Sequence, residues 1–119
     1  MGNPIYHIEI PTTNLEESKR FYETVFGWEI TAWGNEPYWL FTTGEGATGG
    51  AFFGSDTVCT EGVVLIIEVD DIPAMLERIE ENGGEKLMEK TPIGENAEMG
   101  YYAYFNDSVG NKMGLWSKN

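Results

Sequence analysis

Apolar and polar residues alternate along the chain in a pattern that predicts a strand followed by a helix at its start. Pro4 to Pro11 has a period of two at Ile8 and Ile10, which is typical of a strand with one buried face. Asn14 is a good N-cap, and Glu17 three residues later completes a capping-box-like pair. Apolar residues then recur at helical spacing, so the first half opens with a strand and an amphipathic helix.

Three further strands are predicted before the pattern breaks. The candidates are Trp28 to Ala32, Tyr38 to Thr43 and Gly49 to Phe53, separated by turns that contain glycine. Gly54 to Gly62 is polar and contains glycine at both ends. We therefore expect this segment to be the linker within the chain.

The second half repeats the order of the first. Val63 to Val69 predicts an apolar strand, and Asp71 caps a helix whose first turn contains Pro73. Three strand candidates complete this half: Lys86 to Lys90, Gly100 to Phe105 and Lys112 to Ser117. Both halves therefore have the order strand, helix and three strands.

The two halves align by a constant shift in sequence number. A shift of 57 residues pairs two helix caps, two first-turn aliphatic residues and two helix-ending glycines: Asn14 with Asp71, Leu15 with Ile72, and Gly27 with Gly84. Such an internal repeat indicates duplication of a half-domain. The sequence therefore predicts an α+β fold made of two tandem βαβββ modules, about residues 1–54 and 62–119, in one domain.

Composition narrows the classes of partner. Apolar residues make up 41% of the 119 positions, which is enough for a globular core. The formal net charge of −13 argues against nucleic acid and against anionic membrane surfaces, because both attract basic proteins. The single Cys59 excludes an intramolecular disulfide, and no apolar run is long enough to span a bilayer. We expect an acidic cytoplasmic protein that binds neither nucleic acid nor membrane.

Seven short segments carry a family resemblance that covers essentially the whole chain. They are residues 7–11 (HIEIP), 14–18 (NLEES), 21–22 (FY), 25–28 (VFGW), 69–72 (VDDI), 82–84 (NGG) and 104–111 (YFNDSVGN). With them the chain resembles the vicinal oxygen chelate superfamily, which includes lactoylglutathione lyase, bleomycin and fosfomycin resistance proteins and extradiol dioxygenases. The resemblance implies a glyoxalase-like fold, in which curved mixed sheets form a cup with one helix outside each sheet, and a homodimer.

The same resemblance implies metal ligands on the first and last strands of each module, and most of them are missing here. His7 matches the first position, whereas Val64 and Gly114 stand at two of the others. Gly50 to Phe53, at the end of the first module, offers no side-chain ligand. Because an open catalytic metal site needs about three protein ligands, we expect no cofactor. The alternative is a divalent metal at a shifted place.

Three ionisable residues are the candidate catalytic groups. Strand alternation places His7 and Glu9 on the face opposite Ile8 and Ile10, which is the cup side. Glu68 is the only charge in an otherwise apolar strand, so it is a possible general base. Two plainer interpretations stay open: a hydrogen-bonded pair of His7 with Glu9, and a Glu68 that reaches water at the end of its sheet.

Aromatic residues are the candidate ligand-binding groups, because aromatic walls suit planar or apolar ligands. We expect the ligand to contact some of Trp39, Phe41, Phe53, Tyr102, Tyr104 and Trp116. Alternation puts Trp39 and Phe41 on one face of their strand, and Tyr102 and Tyr104 on one face of theirs. It does not say which face is inward, so core and dimer interface stay open for each.

Three functional hypotheses follow. The favoured one is a small-molecule binding protein of the glyoxalase and bleomycin resistance type. It would hold an aromatic or apolar ligand, and in view of the acidity also a cationic one, without the usual metal. The alternative is a lyase, isomerase or epimerase related to lactoylglutathione lyase that uses His7, Glu9 and Glu68, with or without a divalent metal. The third is a non-catalytic module that acts through its surface.

Overall fold

The structure is a computed structural model that describes residues 2–119. In chain order its elements are β1 (Ile8–Thr12), α1 (Leu15–Phe26), β2 (Glu29–Ala32), β3 (Tyr38–Thr42), β4 (Gly50–Gly54), β5 (Ile66–Glu68), α2 (Ile72–Glu81), β6 (Glu85–Lys86), β7 (Thr91–Pro92), β8 (Tyr101–Asn106) and β9 (Lys112–Ser117). The chain divides into two compact units, Met1–Val58 and Cys59–Asn119, each with one helix and one sheet.

The first unit has a four-stranded sheet in the order β1-β4-β3-β2. The pair β1 and β4 is parallel, whereas β4 with β3 and β3 with β2 are antiparallel. Helix α1 begins where the Asn14 side chain accepts a hydrogen bond from the Glu17 N–H (3.1 Å). It ends at Gly27, whose φ of 71° is the left-handed conformation that glycine adopts without strain.

The core of the first unit is a stack of aromatic rings between α1 and the sheet. The Tyr22 ring lies 4.6 Å from Trp28 and 5.0 Å from Phe52, centre to centre. The Phe41 ring is 4.8 Å from Trp28 and 5.2 Å from Phe52. Because these rings are buried and in the range of aromatic pair contacts, they hold the helix against its sheet.

The second unit has a sheet in the order β5-β9-β8-β6, with β7 also paired to β8. Strands β5 and β9 pair in parallel, as the first and last strands of the first sheet, β1 and β4, also do. Helix α2 starts at Asp71, whose side chain accepts from the Ala74 N–H (3.0 Å). The buried side chains here are mostly aliphatic: Ile72, Leu76, Ile79, Met113 and Leu115, with Ala103 and Phe105.

The predicted order of strands and helices is confirmed, with three differences in detail. Strand β5 covers only Ile66–Glu68, not residues 63–69, and the single strand expected at 86–90 is replaced by the two-residue pairings β6 and β7. Helix α2 ends at Glu81, and the left-handed residue after it is Gly83, with φ of 96°. The repeat shift of 57 therefore holds at the helix starts and not at the ends.

Gly84 has a different requirement from Gly27, the glycine with which the repeat aligned it. A Cβ at Gly84 would lie 2.6 Å from Ile79 Cγ2 and 2.7 Å from the Asn106 carbonyl oxygen. Glycine is needed there for close packing of the chain after α2 against β8, not for a helix cap. Among residues 2–119, no helix is long and apolar enough to cross a membrane.

Candidate functional site

Each sheet carries its helix on one face, and we call the other the helix-free face. In the first sheet, Ile10 pairs with Phe52, and Phe52 pairs with Trp39. Directly paired residues project to the same side of a sheet. Since Phe52 packs on Tyr22 of α1, these residues face the helix. The alternate positions form the helix-free face: Glu9, Pro11, Tyr38, Leu40, Ala51 and Phe53.

The helix-free face of the first sheet carries a hydrogen-bonded series of three polar side chains. Tyr38 Oη lies 2.7 Å from His7 Nε2 and donates to Glu9 Oε2 at 2.8 Å. The His7 and Tyr38 rings are stacked, with centroids 6.2 Å apart and an interplanar angle of 24°. The structure thus brings the two candidate residues His7 and Glu9 together through Tyr38. We call these three residues the polar triad.

Sheet order explains why a tyrosine makes this connection. His7 directly precedes β1 and Glu9 lies near its start, whereas Tyr38 begins β3, and β4 lies between the two strands. Strands two places apart are separated by about 10 Å, so only a long side chain that lies across β4 can reach. Tyr38 was not among the expected site residues, because its pairing depends on a strand order that local patterns do not reveal.

The electrostatics of the polar triad keep the tyrosine protonated. The hydrogen bond to Glu9 is the main cause that raises the pKa of Tyr38 above its ordinary 10, and burial and the negative charge of Glu9 act in the same direction. A phenol is converted to phenolate less readily beside a carboxylate, because two negative charges would then face each other. Tyr38 is therefore a stable hydrogen-bond donor.

Two expected ligand contacts lie on the other side of this sheet. Phe41 is only 3% exposed and packs on Trp28 and Phe52 in the core. The ring of Phe41 is therefore enclosed on the helix side of the sheet and is part of the core. Trp39 shares that face through its pairing with Phe52 and is half-buried. Phe53, by contrast, is half-buried on the helix-free face.

The helix-free face of the second sheet is aromatic. The pairings of Tyr102 and Glu68 with Trp116 place these three side chains on one face, and Tyr104 follows on the same side of β8. The Tyr102 and Tyr104 rings meet edge to face at 5.7 Å. The indole Nε1 of Trp116 donates to the Met99 carbonyl (2.9 Å), which fixes the ring. We call Tyr102, Tyr104 and Trp116 the aromatic face.

Gly114 allows the aromatic face to lie flat on the sheet. A Cβ at this position would meet Ile66 Cδ1 at 2.5 Å and Tyr104 Cδ1 at 3.3 Å. The Tyr104 ring thus covers space that a side chain of β9 would otherwise fill, and the Lys112 ammonium lies 4.5 Å from the centre of the same ring. The last-strand position that could have held a metal ligand is occupied by apolar atoms of its neighbours.

Glu68, the third candidate acid–base residue, lies in the second unit, on the same face as the aromatic residues. Its side chain is exposed and makes no hydrogen bond or ion pair within residues 2–119. Its pairing opposite Trp116 places the two side chains on the same helix-free face, on neighbouring strands.

The comparisons with known proteins identify the class. The sequence model of the Glyoxalase/Bleomycin resistance protein/Dioxygenase superfamily matches residues 5–115. The chain belongs to this superfamily. A glyoxylase-like domain-containing protein of Didymella fabae is 29% identical over 111 residues, 87% of this chain and 85% of that protein. A Mycobacterium bovis protein named as a glyoxylase, CFP32, is 27% identical over 99% of this chain, which spans 46% of CFP32, about half its length.

Solved structures share the fold. The fosfomycin resistance protein FosX of Listeria monocytogenes superposes with a TM-score of 0.79 at 18% identity, covering 100% of this chain and 94% of that one. A glyoxalase/bleomycin resistance protein of Albidiferax ferrireducens gives 0.73 at 20% identity, covering 97% and 98%. A mutant of the Listeria protein was crystallised with Mn(II) and a dihydroxypropylphosphonic acid.

The residues of this chain do not fit such a divalent metal. Within residues 2–119, no three His, Cys, Asp or Glu side chains come close enough together to hold one. Val64 and Gly114, at two of the positions where the family resemblance implies ligands, supply no side-chain donor atom. The ring nitrogen Nε2 of His7, the one matching ligand, already contacts Tyr38. The arrangement offers hydrogen bonding and aromatic contact in place of metal coordination.

Proposed function

We propose that this chain is a small-molecule binding domain that takes an aromatic or apolar ligand on the helix-free face of a sheet, without a resident divalent metal. The observation that carries the proposal is the aromatic face, because its three rings are half-buried on the side of the second sheet that no helix covers. Rings held by cross-strand pairing bind a planar molecule with little loss of side-chain freedom.

The charge of the two faces favours a cationic ligand. Glu68 adjoins Trp116, and Glu9 belongs to the polar triad, so each face carries one carboxylate. The net charge of −13 would also attract a cation from a distance. Lys112 lies over Tyr104 and opposes this locally. We therefore assign the cationic part of a ligand to the Trp116 and Glu68 side of the aromatic face.

The proposal also includes the organisation of the chain. We infer that residues 1–119 act as one glyoxalase-like domain of two modules, which works as a cytoplasmic homodimer. The superfamily membership supports the two-module plan. The exposed apolar residues Ile5, Trp33 and Val63 support an assembly that would cover some of them.

Binding of a planar cation tests the proposal. Proflavine, a planar aromatic cation, should bind and change its fluorescence anisotropy, whereas the planar dianion fluorescein should bind more weakly. Trp116→Leu should weaken proflavine binding about threefold to tenfold, since one aromatic contact is lost. Trp33→Leu is the matched control, because Trp33 is 59% exposed in the β2–β3 hairpin. No proflavine binding, or equal losses in both variants, would overturn the proposal.

A proton-transfer enzyme is the second candidate, and the polar triad is the observation that favours it. An imidazole beside a phenol and a carboxylate is a set of groups that enzymes use for acid–base steps. The hemithioacetal of methylglyoxal and glutathione is the substrate to try, because relatives carry glyoxylase names. Thioester formation that His7→Gln abolishes would favour this candidate over simple binding.

A further inference from the structure

We infer that Tyr38 fixes the tautomer of His7, so that this histidine acts through Nδ1 as a hydrogen-bond acceptor rather than through Nε2 as a metal ligand. Tyr38 is then a positioning residue, and the site takes a ligand that presents an N–H or O–H group to Nδ1. The statement about the ligand rests on the proposed function; the statement about the tautomer does not.

The direction of the two hydrogen bonds sets the tautomer. A phenol has a single proton, and Tyr38 gives it to the Glu9 carboxylate, which has none to give in return. The contact between His7 Nε2 and Tyr38 Oη is 2.7 Å, so one of the two atoms must carry a proton between them. Since the phenol proton points to Glu9, Nε2 of His7 is the donor.

Nδ1 of His7 is left with a free lone pair. In a neutral imidazole only one ring nitrogen carries a proton, so protonation at Nε2 makes Nδ1 the acceptor. His7 makes its hydrogen bond to Tyr38 and its ring stacking on the same residue, and no other contact of this kind within residues 2–119. Because His7 is exposed, a ligand can reach Nδ1.

This arrangement gives His7 a role that needs no companion metal ligands. Nε2 faces Tyr38, so a metal at Nε2 would have to displace the hydrogen bond between His7 and Tyr38. Glu9 stabilises that bond because it accepts the Tyr38 proton. The same histidine thus has a different role from coordination, and the polar triad is complete without an ion.

Nitrogen NMR tests the tautomer directly, because His7 is the only histidine in the chain. In mildly alkaline buffer, where imidazoles are neutral, the ring nitrogen shifts of the ligand-free protein should show an excess of the Nε2–H form. This excess should be about fivefold or more greater than the excess that an unconstrained histidine already has, as a hydrogen bond of ordinary strength gives. Tyr38→Phe should lower the excess to that of an unconstrained histidine. Glu9→Ala should reduce it, because the Tyr38 proton is then free to turn towards Nε2.

Tyr6→Phe is the matched control. It removes a tyrosine hydroxyl one position from His7, but Tyr6 is 91% exposed and makes no hydrogen bond within residues 2–119. Its His7 shifts should equal those of the unaltered protein. Circular dichroism on each variant checks that the sheet is intact. An excess of Nδ1–H in the unaltered protein, or an Nε2–H excess that Tyr38→Phe leaves unchanged, would overturn the inference.

A pair of dyes tests the ligand statement. Proflavine carries two amino groups with N–H donors, and acridine orange has the same ring with those hydrogens replaced by methyl groups. Followed by the shift of the His7 Nδ1 resonance, proflavine should bind at the polar triad about threefold to tenfold more tightly than acridine orange. Equal binding of the two dyes at the polar triad would refute the donor requirement, while binding at the aromatic face, and with it the proposed function, stands. If neither dye binds at either face, the proposed function fails, and the tautomer result is unaffected.

Discussion

The two units both begin with a strand and a helix followed by further strands, and they place most of their aromatic residues on different faces of the sheet relative to the helix. In the first, the rings lie between helix and sheet, as with Tyr22 and Phe52, while the helix-free face carries the polar triad. In the second, the buried layer is mostly aliphatic, and the rings of Tyr102, Tyr104 and Trp116 stand on the helix-free face. The two units thus have similar topologies, but the aromatic residues lie on the helix side of the first sheet and on the helix-free face of the second.

This difference divides the chemistry of the chain. The first sheet supplies directional hydrogen bonds through a histidine, a tyrosine and a carboxylate, whereas the second supplies flat apolar area with Glu68 beside it. Ancestral symmetry of the modules therefore does not mean that they do the same task. Substitutions that act on one face only are the sharpest way to examine the division.

The largest effect should come from two adjacent phenylalanines with opposite orientations. Phe52 is fully buried against the aromatic core, whereas Phe53 is half-buried on the helix-free face. Phe52→Ala should lower the free energy of unfolding by about 3–5 kcal/mol, because it leaves a cavity in the core. Phe53→Ala should cost less than half as much, as measured by urea unfolding. Equal losses would contradict the assignment of the two faces.

Loss of the helix N-cap should destabilise both units by the same amount, and by less than loss of Phe52. Asn14 and Asp71 each accept a backbone N–H from the third residue after them, at 3.1 and 3.0 Å. Replacement of either by alanine should cost about 1 kcal/mol of unfolding free energy. The double variant should show the sum, because distant sites add. A twofold or larger difference between Asn14→Ala and Asp71→Ala would show that the modules differ here too.

The smallest effect should be a pH dependence confined to the loop between β7 and β8. Backbone N–H groups of Glu98 itself, then of Asn96 and Glu95, lower the pKa of the Glu98 carboxyl below its ordinary 4.5. Because the folded state favours the charged form of Glu98, this carboxylate adds stability at a pH above its ordinary pKa of 4.5. The added stability is lost as the pH falls through the lowered pKa.

Melting temperature as a function of pH reveals this contribution. Glu98→Gln should flatten the acid limb of the curve relative to the unaltered protein, since an amide has no charge to lose. Glu95→Gln in the same loop is the control, because its side chain makes no hydrogen bond within residues 2–119. A Glu98→Gln curve parallel to the unaltered one would contradict the lowered pKa.

The sequence predicted the parts of this molecule that local patterns determine. Helix starts followed from caps at Asn14 and Asp71, and alternation along β1 put Glu9 on the face opposite Ile10, as the register has it. The orientation of Phe41 could not be predicted, because alternation separates two faces without saying which one meets the helix. The role of Tyr38 was not predicted for a related reason. Tyr38 reaches across β4 to β1, and the order of these strands is known only from the folded sheet.

The parallel closure of each sheet has a consequence for how the chain acquires its structure in time. Strand β1 pairs with β4, as Ile8 with Gly50, and β5 pairs with β9, as Ile66 with Gly114. The first strand of each unit must wait unpaired for its last, so the slow step of folding is a long-range encounter rather than helix formation. We therefore expect the first sheet to be able to form during synthesis, before the strands of the second sheet have been translated.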